Sequence, residues 1–229
     1  MALVYRETKG QLLTIGEGDN NIRELDEIPN GKVFPKTQGV GIKIDQDSPD
    51  WGWHDITGVI RAIGGASDPE WVAYQGAIKQ PQFDVGEEVF IEFHLPHDYA
   101  MGTNIYIHAH WSHNNSNVTT GGVTWAFEGS YAKGHGQAYF NTPVVLNVQQ
   151  DASLVRYQHM IAEDAFSASA GAGGLIVKED IEVDGLVLCR VSLAGNTMDD
   201  GAKPFLHFVD IHYQSTGMGT KQKAPNFWT

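Results

Sequence analysis

Asn104-Ile-Tyr-Ile-His-Ala-His-Trp-Ser-His113 is the stretch on which the fold turns. In an extended chain successive side chains point to opposite faces. Ile105, Ile107, Ala109 and Trp111 therefore share one side, and Tyr106, His108, His110 and Ser112 the other. The segment predicts one β-strand with a dry face and a wet face. His108 and His110 point the same way on it, so the strand also raises the question of a metal site.

Working outward, the region after Trp51 consists of short apolar segments separated by Gly, Pro, Asn and Asp. Strands are predicted over Ile56 to Ile63, Trp71 to Ile78, Val89 to Leu95, Ile105 to Trp111, Val123 to Tyr131, Val144 to Val148, Val155 to Ala162, Leu186 to Leu193 and Phe205 to Tyr213. Several alternate with period 2, as Val89, Ile91, Phe93 and Leu95 do against Phe90, Glu92 and His94. That is the pattern of half-buried antiparallel sheet. With this many strands and no repeat, the prediction is an all-β, antiparallel β-sandwich of jelly-roll type, spanning residues 51–216. Residues 217–229 are read as a C-terminal tail packing on it. Asn114 to Gly122 and Ala165 to Gly174 are polar or small-residue loops at its ends.

Residues 1–50 have a different character, polar and turn-rich, with glycines and prolines throughout and few apolar residues at any period. One short helix is predicted, from Asp19 to Leu25, with Asp19 as N-cap. The region reads as an extended arm that orders on another surface.

Composition narrows the function. The chain carries 28 acidic against 15 basic residues, a formal charge of −13, with no Lys/Arg cluster, which argues against nucleic acid or an anionic membrane as partner. The first ten residues lack a long apolar stretch and no apolar run is long enough to span a bilayer, so a soluble cytoplasmic product without membrane insertion is expected. The single cysteine, Cys189, sits in an apolar strand and reads as packing.

Candidate chemistry is sparse. Gly102, five residues, then His108-Ala-His110 matches the opening of the cupin metal motif. The glutamate expected after the second histidine is replaced by Asn114 or Asn115, and no Pro-Gly-His segment follows. A cluster of His108, His110, Glu128 and His212 would form if their strands were neighbours, and the alternative is a polar ladder or subunit interface. Asp98, Glu128, Glu163 and Asp210 offer no preferred pair for sugar hydrolysis, and no nucleophile-elbow or phosphate-loop motif is present. No catalytic residue and no cofactor is assigned. Trp51, Trp53 and Trp71 are candidates for interface or glycan contact, against the commoner role of capping an open core edge.

Leu12-Leu-Thr-Ile-Gly-Glu-Gly-Asp-Asn-Asn-Ile-Arg-Glu-Leu25 resembles the amino-terminal segment of tail-fibre and related virion proteins of tailed bacteriophages. Asp50-Trp-Gly-Trp-His-Asp-Ile-Thr-Gly58, His108-Ala-His-Trp-Ser-His113, Tyr157-Gln-His-Met-Ile-Ala-Glu163, Asp210-Ile-His-Tyr-Gln-Ser-Thr216 and Gly219-Thr-Lys-Gln-Lys-Ala-Pro-Asn-Phe227 are similar to phage and prophage virion proteins of undefined role. The resemblance implies a non-enzymatic virion structural protein, assembled in the host cytoplasm. Its form would be a trimeric jelly-roll appendage of the short tail fibre kind, anchored through Leu13, Asp19, Asn20, Asn21, Ile22 and Leu25. Its partners would be a tail adaptor or nozzle, with a host-surface glycan at the far end. The alternative is a capsid cement or decoration protein bound to the major capsid protein. A third possibility, from another class, is a carbohydrate-binding or cupin-like metal-binding module using Trp51, Trp53, His108 and His110.

Overall fold

The computed structural model describes residues 32–33, 42–43, 51–172 and 176–228. Its contacts divide the chain into two units, Met1–Trp51 and Gly52–Thr229. In the first, β1 (Lys32–Val33) pairs antiparallel with β2 (Ile42–Lys43). The expected helix from Asp19 to Leu25 and the anchor residues Leu13, Asp19, Asn20, Asn21, Ile22 and Leu25 lie outside the described residues.

The second unit contains β3 (Gly52–Gly58), β4 (Glu70–Gln75), β5 (Ile78–Gln82), β6 (Glu88–His94), β7 (Tyr106–Ser112), β8 (Gly122–Ala132), β9 (Val144–Asp151), β10 (Met160–Ala165), β11 (Ser167–Ala168), β12 (Ile176–Val177), β13 (Leu186–Asn196) and β14 (Phe205–Ser215). A single 3-10 turn, Lys178–Asp180, is the only helical element among the described residues. One large sheet runs β10-β7-β14-β5-β4, with β3 also pairing along β14, and a second runs β6-β13-β8-β9. From β6 to β14 the chain changes sheet at nearly every connection, and the last strand of each sheet is inserted between earlier ones. Two interlocked Greek keys of this order make a jelly-roll sandwich.

Alternation produces the core. Ile105, Ile107, Ala109 and Trp111 face Val123, Trp125, Phe127, Val187, Val191 and Leu193 of the opposite sheet, and all are buried. Phe83 meets Trp125 edge to face, centroids 5.2 Å apart, and the Trp111 indole N–H donates to Gln150 at 2.6 Å. Cys189 lies in this core, where burial pushes its thiol well above the ordinary range, an inert packing residue. Phe227 of the tail is also buried in it.

Glycine is required where layers approach closely. A Cβ on Gly58 would sit 2.1 Å from Ile91 Cγ2, and one on Gly129 would sit 2.2 Å from Phe166 Cζ.

Four readings of the sequence shift in the structure, the first being the strand expected from Ile56 to Ile63, which runs instead from Gly52 to Gly58. The segment from Trp71 to Ile78 is a hairpin of β4 and β5, because Gly76 adopts a positive φ of 59° and turns the chain there. The strand expected from Val155 begins at Met160, since Ser153 to Tyr157 form a turn held by their own side chains and by Tyr157 N–H donating to His113. The face of β7 expected to be wet is largely dry: Tyr106 is half-buried, and His108, His110 and Ser112 are as buried as the core residues between them.

Candidate functional site

That buried polar face is built by register. Glu163 of β10 and Asp210 of β14 both lie opposite His108, while His212 lies opposite Tyr106 on one side and Asp55 of β3 on the other. Residues directly opposite or diagonal on one face are within side-chain reach. Four strands thus bring Asp55, His108, Glu163, Asp210 and His212 together on the face turned away from the space between the sheets. The intervening Ile107, Val209, Ile211 and Ala162 point into the core. The cupin comparison made from Gly102 and His108-Ala-His110 does not carry over, because strand parity sends these histidines to the outer face.

Asp210 is the buried centre. Its Oδ1 lies 3.4 Å from His108 Nδ1 and 3.2 Å from His110 Nε2. His110 in turn stacks on Phe208, centroids 3.9 Å apart, and its Nδ1 lies 2.7 Å from His159 Nε2. These rings cover the face that simple alternation would leave to water. With Nδ1 of His108 turned to Asp210, Nε2 points at the Glu163 carboxylate, with which it is in contact. His212 is arranged the same way: Nε2 contacts Asp55, and Nδ1 is 3.7 Å from Glu163 Oε2. The His108 and His212 rings meet edge to face at 3.7 Å.

Exposure grades outward through the cluster, from 1% at the His108 side chain through 32% at His212 to 47% at Glu163. Burial first, and then the neighbouring His212 charge, hold His108 below the ordinary imidazole range, so it is neutral at pH 7. An open pocket of about 490 Å³ adjoins the cluster, lined by Trp53, Tyr106, Glu163 and His212. Trp53 meets Tyr106 edge to face at 5.5 Å and is half exposed.

A second polar chain runs along the same sheet. Tyr74 and Ser112 hydroxyls are 2.7 Å apart, Ser112 Oγ is 2.8 Å from His207 Nε2, and His207 Nδ1 is 3.2 Å from Gln80 Oε1. Burial, together with the charges of His159 and His110, lowers the His207 pKa to about 4. At the other end of the sandwich Asp184 is approached by His97 at 2.9 Å, His135 at 2.8 Å and His94 at 3.4 Å.

The structure therefore brings together three of the four residues proposed from sequence, His108, His110 and His212, and separates the fourth. Glu128 is on the outer face of the other sheet, 2.6 Å from Arg190. Asp98 accepts hydrogen bonds from Tyr213 and Ser215, away from the cluster. Trp71, half exposed, is on β4 at the sheet edge, and Trp51 belongs to the first unit. Trp53 and Trp71 each leave about half their surface in solvent. Asp55, His159 and His207 were not singled out by spacing. The usable signal was the parity of Asp210-Ile-His212, which repeats that of His108-Ala-His110.

No protein-family model matches this sequence, and no curated protein does. Among solved structures, the chain is similar to TmCBM61 in complex with beta-1,4-galactotriose, with a TM-score of 0.28 and 12% identity over 71% of this chain and 88% of that one. The class defined by the chain's own strand order is the antiparallel jelly-roll sandwich.

Proposed function

We propose that this chain is a non-enzymatic structural protein of a tailed-phage virion, a homotrimeric jelly-roll appendage in which residues 1–50 are the attachment arm. The supporting observation is spatial. The stretches that carry the resemblance to virion proteins, around Trp53, His108, His159 and His212, belong to separate parts of the chain yet supply the side chains of one face of one sheet. Stretches scattered along the sequence meet on a single sheet face in the folded molecule. The same resemblance supports an arm that orders only on a partner, a tail adaptor or nozzle.

The test is deletion of residues 1–50 with imaging of labelled particles. The truncated chain is expected to remain folded and trimeric and to be absent from virions, and label on the intact chain is expected at the tail. Normal incorporation of the truncated chain would refute the division of labour. Label spread over the head shell would replace the tail assignment with a capsid cement protein.

A second reading, a carbohydrate-binding module, is favoured by one observation: Trp53 stands half exposed at the rim of a pocket that also offers a carboxylate and an imidazole. An exposed indole stacks on the apolar face of a sugar ring while polar neighbours take its hydroxyls. Glycan-array binding lost in Trp53→Ala supports it, and no binding to any glycan removes it.

A further inference from the structure

We infer that His108 Nε2, His212 Nδ1 and Glu163 Oε2 form a binding site for a first-row divalent transition metal ion, with zinc the natural occupant among borderline ions. The inference stands on the geometry of the sheet face and is independent of the virion reading.

The first argument is the fate of the far nitrogens. In each histidine the ring nitrogen away from Glu163 is turned to its own carboxylate, Asp210 for His108 and Asp55 for His212. A carboxylate accepting the N–H of one ring nitrogen fixes the tautomer and leaves the other nitrogen as a lone-pair donor, the arrangement found behind histidines that ligate metals. Both lone pairs then face the oxygen of Glu163. Three electron-rich atoms converge, and a cation between them removes their repulsion.

The second argument is that His108 has no other solution. Its side chain is 1% exposed, so water does not reach it, and its ring nitrogens have only Asp210, 3.4 Å from Nδ1, and Glu163, at Nε2, to face. A buried imidazole must satisfy its nitrogens with the groups around it. The third argument is fit. The three donor atoms lie within 4.8 Å of one another. A tetrahedral ion with bonds of about 2.0–2.1 Å places its ligands about 3.4 Å apart, so the half-exposed Glu163 side chain draws back from His108 Nε2 to admit it, while His212 Nδ1, 3.7 Å from Glu163 Oε2, is already near that spacing. Asp55, Asp210 and Glu163 also put three carboxylates around the two rings, a charge that a divalent ion offsets.

Two other triads, His108/His110/Asp210 and Asp55/Asp210/His212, share these residues. The first is closed over by Phe208 and His159, and both would take Asp210 away from the histidines it orients. Only the chosen triad includes two residues lining the pocket of Trp53 and Tyr106, so an ion there keeps a coordination position open to a ligand from outside.

Zinc titration of the full-length chain by calorimetry, after chelator treatment and dialysis at pH 7.5, tests this. One equivalent per chain is expected. Glu163→Gln, at a half-exposed position that tolerates the change, is expected to weaken binding at least about 10-fold, and Asp55→Asn, which touches no metal, by about 10-fold through loss of orientation. His135→Gln, in the Asp184 cluster, is expected to leave it unchanged. Absence of zinc binding, binding undiminished in both Glu163→Gln and Asp55→Asn, or an equal loss in His135→Gln would each overturn the assignment. His108→Asn is read only alongside circular dichroism, and the two exposed variants decide the matter if it does not fold.

Discussion

Acid should unfold this protein in part through one histidine, His207. Its Nδ1–H donates to Gln80 Oε1 and its Nε2 accepts from Ser112, whose hydroxyl is in turn paired with Tyr74. Protonation at Nε2 abolishes that acceptor and adds charge beside His110 and His159. The unfolded chain takes up this proton near pH 6.5, whereas the folded chain does so only near 4. A lowered folded-state value means that the contribution is complete above pH 6.5 and is lost as pH falls from 6.5 to 4. The full difference corresponds to about 3.4 kcal/mol, and because the ring is partly exposed, screening reduces it to about 1.5 kcal/mol. The assay is urea unfolding at pH 7.5, 6.0, 5.0 and 4.5 for the native chain and for His207→Gln, whose amide can both donate and accept. The native chain is expected to lose about 1.5 kcal/mol more than the variant across this range. Parallel loss in the two proteins, or a steeper loss in His207→Gln, would refute the reasoning.

Gly129→Ala should cost about 1–3 kcal/mol in urea unfolding, because the new methyl overlaps the ring of buried Phe166; an unchanged midpoint would show that the sheet yields there. Trp111→Ala should cost about 3–5 kcal/mol, from the cavity and the lost bond to Gln150, whereas half-exposed Trp71→Ala should cost under about 0.5 kcal/mol. Similar losses at the two sites would contradict the assigned burial. At Asp184 burial acts to raise the carboxyl pKa, but the hydrogen bond from His135 and the charges of His97 and His94 outweigh it and hold the value below the ordinary range. Its stabilisation is therefore present above about pH 4 and is lost as pH falls through the lower folded value. A carbon NMR titration should find its midpoint below that of ordinary aspartates and see it rise in His135→Gln.

The decisive stretch shows where legibility ends. Parity along Asn104 to His113 correctly assigns Ile105, Ile107, Ala109 and Trp111 to the core, because a strand's two faces follow from covalent geometry alone. The same parity correctly puts His108 and His110 together on the other face. It cannot say that this face is covered, since the cover is Phe208, His159 and His212, brought by strands far away in sequence. Glu128 illustrates the converse. It alternates like a site residue, but it is on the opposite sheet and faces Arg190.

Local periodicity, glycine and proline placement and the absence of helical spacing after Trp51 were thus enough to determine an all-β sandwich. Those properties depend on neighbours in sequence, and the sequence contains them. Only the tertiary structure decided that β10, β7, β14 and β3 are adjacent, in the register that sets Glu163, His108, Asp210, His212 and Asp55 side by side. Strand order and register come from the packing of both sheets at once, a long-range property that no single segment encodes. A shift of one residue in any of the four strands would have scattered the cluster.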